Sequence, residues 1–204
     1  SPIRGGGSVL RHHRRVLVVI LVLAVAVRLA TFPLAFERLR DMGIAAYDEY
    51  GGIAQNIVDG NGFSYAWFGE LRPTSIHAPV YPYVLAGIFW LSDSPTFRLM
   101  VVLTLSVVFS LGTGWLVYLV LRLLVGPGTA VAGLVVAFFL PSQIYYGASP
   151  LPTALFSFNF VAVVAAGIWF WQRPLLGRAV VWGIVAGVGC LSYSFIVVAA
   201  PIVL

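Results

Sequence analysis

All seven acidic residues of this chain fall in one window: Glu37, Asp41, Asp48, Glu49, Asp59, Glu70 and Asp93. Outside that window the chain is apolar apart from scattered arginines, and the runs on either side are long enough to cross a bilayer. A hydrocarbon core of about 30 Å takes about 20 apolar helical residues. Only 9% of residues are charged and 60% are hydrophobic, where a soluble domain carries about 25% charge. The pattern predicts an all-α polytopic membrane protein whose polar chemistry is confined to one loop.

The net charge of +5 does not point to nucleic acid. Every Lys/Arg position is an arginine, and most stand at the ends of apolar runs, where they set topology. The lone Cys190 lies inside such a run and says nothing of redox compartment. The chain begins at Ser1 without a methionine and stops at Leu204 inside an apolar run. Processing, or membership of a longer protein, is the expectation. The first apolar run exceeds the ~7–15 residues of a signal h-region, so a retained signal anchor is expected.

Residues 1–15 form a Gly-rich basic tail, ending Arg11-His12-His13-Arg14-Arg15, that predicts a cytoplasmic N-terminus. The rest, 16–204, is expected to be a single transmembrane domain. Val16 to Phe36 is its first predicted span. Residues 37–93 then form a loop on the far, extracytoplasmic side, with two interfacial helices. In the first, Asp48 to Asp59, residues Tyr50, Ile53, Ala54, Ile57 and Val58 recur at helical spacing, acids occupy the N-terminal end, and Gly60-Asn61-Gly62 ends it. The second, Val80 to Leu91, is apolar but too short to span. Four more spans are expected: from the Asp93-Ser94-Pro95-Thr96 cap to about Leu124, from Thr129 to about Tyr145, from Thr153 to Trp171, and from Ala179 to Leu204. Gly126-Pro127-Gly128 is a tight turn. That makes five spanning helices and two interfacial ones. Small residues at Gly112/Gly114 and Gly183/Gly187/Gly189 would permit close helix packing.

Asp48 and Glu49 are the first candidates for chemistry: a carboxylate pair at a helix start can hold a general base, or can simply complement the helix dipole. Arg28 sits about two-thirds across the first run. Intramembrane charge is a functional-site hypothesis by default; the alternative is snorkelling to the nearer interface. His77, ahead of the Pro79–Pro82 run, could touch phosphate, acceptor or metal. Trp67, Phe68, Tyr81 and Trp90 suit a sugar or lipid platform, or an interfacial aromatic belt. No His/Cys/Asp cluster has metal-ligand spacing, and the glycines at 5–7 lack a phosphate-loop context.

Residues 48–91 read DEYGGIAQNIVDGNGFSYAWFGELRPTSIHAPVYPYVLAGIFWL. With Asp48, Glu49, Tyr50, Ala54, Gly60, Gly62, Phe63, Pro73, Pro79, Tyr81 and Pro82, this segment resembles the first outer loop of the GT-C membrane glycosyltransferases. The resemblance is in particular to the branch containing the protein O-mannosyltransferases and the lipid A aminoarabinose transferases. The resemblance is motif-level over 47–91 and covers the rest in layout only. It implies sugar transfer from a polyprenyl-phosphate carrier to an acceptor hydroxyl at the outer membrane face. Asp48 would be the base and inversion the outcome. A cation should hold the departing phosphate, and Arg28, Arg72 and Arg98 are candidates. A lipid-linked sugar donor is implied; whether a divalent metal takes part is left open.

Two positions depart from the family pattern. Thr153 stands where relatives usually have an acid, in Pro152-Thr153-Ala154-Leu155-Phe156. Tyr193 stands where relatives often have arginine, in Leu191-Ser192-Tyr193-Ser194. Threonine brings no negative charge and tyrosine no cation. The alternative expectation is therefore a shortened, catalytically inactive subunit that scaffolds a larger membrane complex. A transporter is disfavoured because no span carries paired acids for a proton relay.

Overall fold

The computed structural model describes residues 6–193, with side chains from His13 onward except at residue 44. It is an all-α bundle with one small hairpin. The helices are α1 (Gly6–Leu39), α2 (Asp48–Val58), α3 (Val80–Leu91), α4 (Pro95–Leu124), α5 (Pro127–Phe139), α6 (Pro141–Gly147), α7 (Thr153–Gln172) and α8 (Leu176–Ser192). Strands β1 (Ser64–Trp67) and β2 (Glu70–Pro73) lie between α2 and α3.

α4 is the axis. It packs against α1, α3, α5, α6 and α7, and α8 reaches the bundle mainly through α7. Ser94 starts α4 by accepting the Phe97 N–H on its hydroxyl at 3.4 Å, with Pro95 in the first turn, the arrangement expected of an N-cap. Two apolar clusters flank α4. Leu85, Phe89, Leu99, Leu103 and Leu155 fill one, nearer α2 and α3; Ile20, Ala24, Tyr118, Leu134 and Phe138 fill the other. Much apolar surface faces outward on α1, α4, α5 and α8, including Val19, Val22, Leu29, Val108, Val136 and Ile184. A lipid environment accounts for that exposure; water does not.

The span count differs from expectation. Around α1, α4 and α7 there are three helices long and apolar enough to cross a membrane, and the bent α5–α6 pair makes up to four. The described part of the last predicted span is only 17 residues, Leu176–Ser192, about 25 Å of helix against a core of about 30 Å. Residues 194–204 lie outside the described part, so five spans are not established.

The helix predicted from Thr129 to Tyr145 is broken. Leu140 is extended (φ −60°, ψ 125°) between α5 and α6, and the two limbs meet at 54°. The cause is Pro141, which lacks an N–H and drives the preceding residue out of the α region. The hairpin was likewise not predicted. Its two-residue loop pairs Trp67 with Glu70, with Phe68 and Gly69 at φ 52° and 87°, as a type I′ turn requires. The hairpin lies on α2: the Asn56 amide donates to the Ser64 carbonyl at 3.0 Å, and a Cβ on Gly52 would come within 2.7 Å of the Tyr65 ring.

Close packing falls on Gly112 and Gly114, and of the second glycine group only Gly189 is buried among the described residues. A Cβ on Gly114 would lie 2.3 Å from the Phe138 ring and one on Gly112 2.8 Å from Phe158. Around Gly183 and Gly187 nothing lies within 4 Å among the described residues, so they do not serve packing there. Gly114→Ala should therefore lower thermal stability by about 1–3 kcal/mol, the usual cost of overpacking, while Gly183→Ala should raise it or leave it unchanged. Unfolding midpoints in one detergent would check both.

Candidate functional site

α2 is placed by the tight turn before it. The 3-10 segment Arg40–Tyr47 kinks at Gly43 (φ 57°, ψ −130°) and delivers Asp48 at φ 57°, ψ −151°, its N–H bonded to the Ala45 carbonyl. That region of backbone space is nearly confined to glycine, and holding another residue there costs about 1–3 kcal/mol. Such strain persists where the surroundings fix it. Here it turns the first residue of α2 toward the gap between the helices.

Asp48 stands at the junction of two cavities. The first, of about 760 Å³, runs down between α4, α5 and α7, with Thr113, Gln143, Thr153, Ser157 and Tyr193 as its polar lining. The second, of about 680 Å³, lies between the end of α1 and α6, with Arg38, Thr31, Ser149 and Tyr145 among apolar neighbours. Asp48 and Leu151 line both. Among the described residues, Asp48 is the only acid on either wall, and Arg38 is the only lysine or arginine.

The neighbouring acid does a different job. Glu49 Oε2 lies 2.6 Å from His77 Nε2; an ionised carboxylate only accepts, so the ring donates. The His77 ring lies against the Tyr50 ring at 4.1 Å, tilted by 33°, and Tyr50 meets Tyr81 edge-on at 5.4 Å. Tyr81 donates its hydroxyl to the Pro150 carbonyl at 2.5 Å. Ser106 donates to the Ser149 carbonyl at 3.0 Å. This chain of contacts ties α2 and α3 to the turn carrying Leu151. It presents Tyr50, which lines the first cavity.

Burial pushes the Tyr50 hydroxyl above the ordinary tyrosine range, with Asp48, Glu49 and Tyr193 adding to it. Burial lifts Tyr81 far above that range, helped by Tyr47 and Tyr50, and lifts Tyr47 to about 12, partly offset by the Arg98 charge. The Tyr47 hydroxyl is buried with no hydrogen-bond partner among the described residues, so only the Arg98 charge favours its phenolate. The sign follows: below the unfolded tyrosine value of about 10 both states are protonated and this stability is fully present. As pH rises past that value the unfolded chain ionises first, and the stability is lost as pH reaches about 12. An alkaline melt should show the midpoint falling in that window, and falling less in Tyr47→Phe.

The remaining sequence candidates lie off the cavities. Arg28 does not snorkel: it is 1% exposed and bonded within the bundle to Ser110, to the Ala24 carbonyl and to the Phe138 carbonyl. It lines neither cavity. Arg72 pairs with Glu70 on the exposed hairpin. Arg98 lies 4.4 Å over the Phe89 ring and donates to the Ser92 and Phe89 carbonyls at 2.7 and 3.0 Å and to Gln55 and Asp93 at 3.0 and 3.1 Å. It closes the end of α3 and ties α2 to α4. Trp90 and Phe68 point outward.

Sequence reading missed Arg38 because a cation in the last turn of a helix is ordinary dipole chemistry. It missed the cavity floor because the α5–α6 bend was not foreseen. Among the described residues, no three His, Cys, Asp or Glu side chains converge to hold a metal ion. No family model, no curated protein and no solved structure matches the chain.

Proposed function

We propose that this protein is a membrane glycosyltransferase of GT-C type, moving a sugar from a polyprenyl-phosphate carrier to an acceptor hydroxyl. The observation that carries the reading is Asp48, held in strained backbone where two cavities meet. A displacement at an anomeric carbon needs a donor and an acceptor on either side of a base, and a carboxylate between two cavities meets that need. The second cavity, with Arg38, suits the carrier, since a guanidinium binds the departing phosphate with charge-assisted bonds. The first suits the acceptor: its hydroxyls and Gln143 can orient a polar group, and Asp48 takes the proton. The loop face that carries Asp48 is the extracytoplasmic one in this reading, following the arginine-rich N-terminus. Transfer by the wild type that is lost in folded Asp48→Asn would support it; undiminished transfer would overturn the base.

A second reading has its own observation. Thr153 and Tyr193, where relatives place an acid and an arginine, both line the first cavity beside Asp48, and Tyr193 stacks on Phe156 at 4.8 Å. A cavity with those charges replaced suits an inactive subunit of a larger membrane complex. Native mass spectrometry separates the two: a fixed ratio with other chains and no transfer favours the subunit.

A further inference from the structure

We propose that Arg28 is a positioning residue: it holds the bend between α5 and α6, and that bend forms the wall shared by the two cavities. The break at Pro141 withdraws the Ser142 N–H that a continuous helix would return to the Phe138 carbonyl. Arg28 Nη1 donates to that carbonyl instead, at 3.2 Å. Its Nη2 and Nε donate to the Ser110 hydroxyl at 2.8 and 3.3 Å, and that hydroxyl donates onward to the Gln143 carbonyl at 3.2 Å. One guanidinium therefore clasps both limbs, Phe138 on α5 directly and Gln143 on α6 through Ser110. Gly147 closes the contact. A Cβ there would lie 3.0 Å from the Ser110 side chain and 3.8 Å from Arg28 Nε, so α6 rests directly on the pair.

The limbs so held are the walls. Ala137, Leu140 and Gln143 face the first cavity; Pro141, Ile144 and Tyr145 face the second. No Asp or Glu reaches Arg28 among the described residues, whose ion pairs all lie elsewhere. Its charge meets carbonyl dipoles and the Phe138 ring at 5.6 Å. A planar fork of five donors suits this divided task, and a lysine ammonium cannot span it. Arg28 thus acts on transfer through cavity shape, which rests on the glycosyltransferase reading; its hold on the bend does not.

The test uses the full chain in lipid vesicles, with Cys190→Ser and spin labels at positions 136 and 145. Val136 and Tyr145 stand on opposite limbs and are 61% and 59% exposed. Pulsed electron resonance reads the distance between them. In Arg28→Met the distribution should shift and broaden, Ser110→Ala should shift it the same way, and Arg28→Lys should restore it only in part. An unchanged distribution in Arg28→Met overturns the proposal. So does loss of polyprenyl-phosphate binding with the distribution unchanged, which would make Arg28 a direct ligand contact. If Arg28→Met does not accumulate, Ser110→Ala decides, because it keeps the charge and removes the link to Gln143; an unchanged distribution there also overturns it. Where transfer is measurable, Arg28→Lys should raise KM for donor and acceptor together and leave the pH profile of kcat unmoved. A wild type without transfer would remove the functional reading while the label distances still judged the bend.

Discussion

Asp48→Asn should reduce sugar transfer by about 10²–10⁴-fold, the range a positioned general base contributes, with the bundle unchanged. The substitution isolates the carboxylate. Asparagine has the shape of aspartate and bears the same backbone cost, so the strained corner at φ 57°, ψ −151° can persist with the charge gone. Asp48→Gly is the useful companion, since it removes the carboxylate and relieves the strain. Its melting temperature should rise while transfer stays lost. Equal transfer in wild type and Asp48→Asn would move the base elsewhere. Glu49 would not inherit the role without cost, because it is engaged with His77 at 2.6 Å and lines neither cavity.

Arg38→Gln should weaken binding of a polyprenyl phosphate by about tenfold. A hydrogen bond to a charged group is worth about 1.5–3 kcal/mol, and the exposed position of Arg38 argues for the low end; about 1.4 kcal/mol is a factor of ten. The loss should fall as salt rises, because an exposed charge is screened. Binding measured in vesicles at low and high salt checks this. Arg72→Gln is the control: its guanidinium is paired to Glu70 away from the cavities, and its binding should match the wild type.

The parts of the fold written locally in the chain were legible. Val80–Leu91 ends where its apolar run does, and α2 starts at its acids and stops before Gly60-Asn61-Gly62. α4 starts at its serine cap. What was not legible depends on contacts between distant segments. Phe68 at φ 52° is a poor turn signal, so the hairpin was hidden. Pro141 did mark the break, but inside an apolar run a proline reads equally as tolerated. The fate of Arg28 was undecided in sequence because both snorkelling and burial are open to an intramembrane arginine. Only the placement of Ser110 and Phe138 decides between them. For the site, the acid pair was visible but its division of labour was not. One residue turns to the cavities and the next to a histidine, in a turn with reversed φ at both Gly43 and Asp48.

The most direct measurement is transfer itself. The purified full chain in lipid vesicles would receive a polyprenyl-phosphate sugar labelled in the sugar, and the anomeric configuration of the product would be read by nuclear magnetic resonance. A base acting on an acceptor in a single displacement predicts a glycosylated product inverted relative to the donor. A retained configuration would contradict the single displacement, and a folded chain that binds the carrier yet transfers nothing would contradict the enzyme.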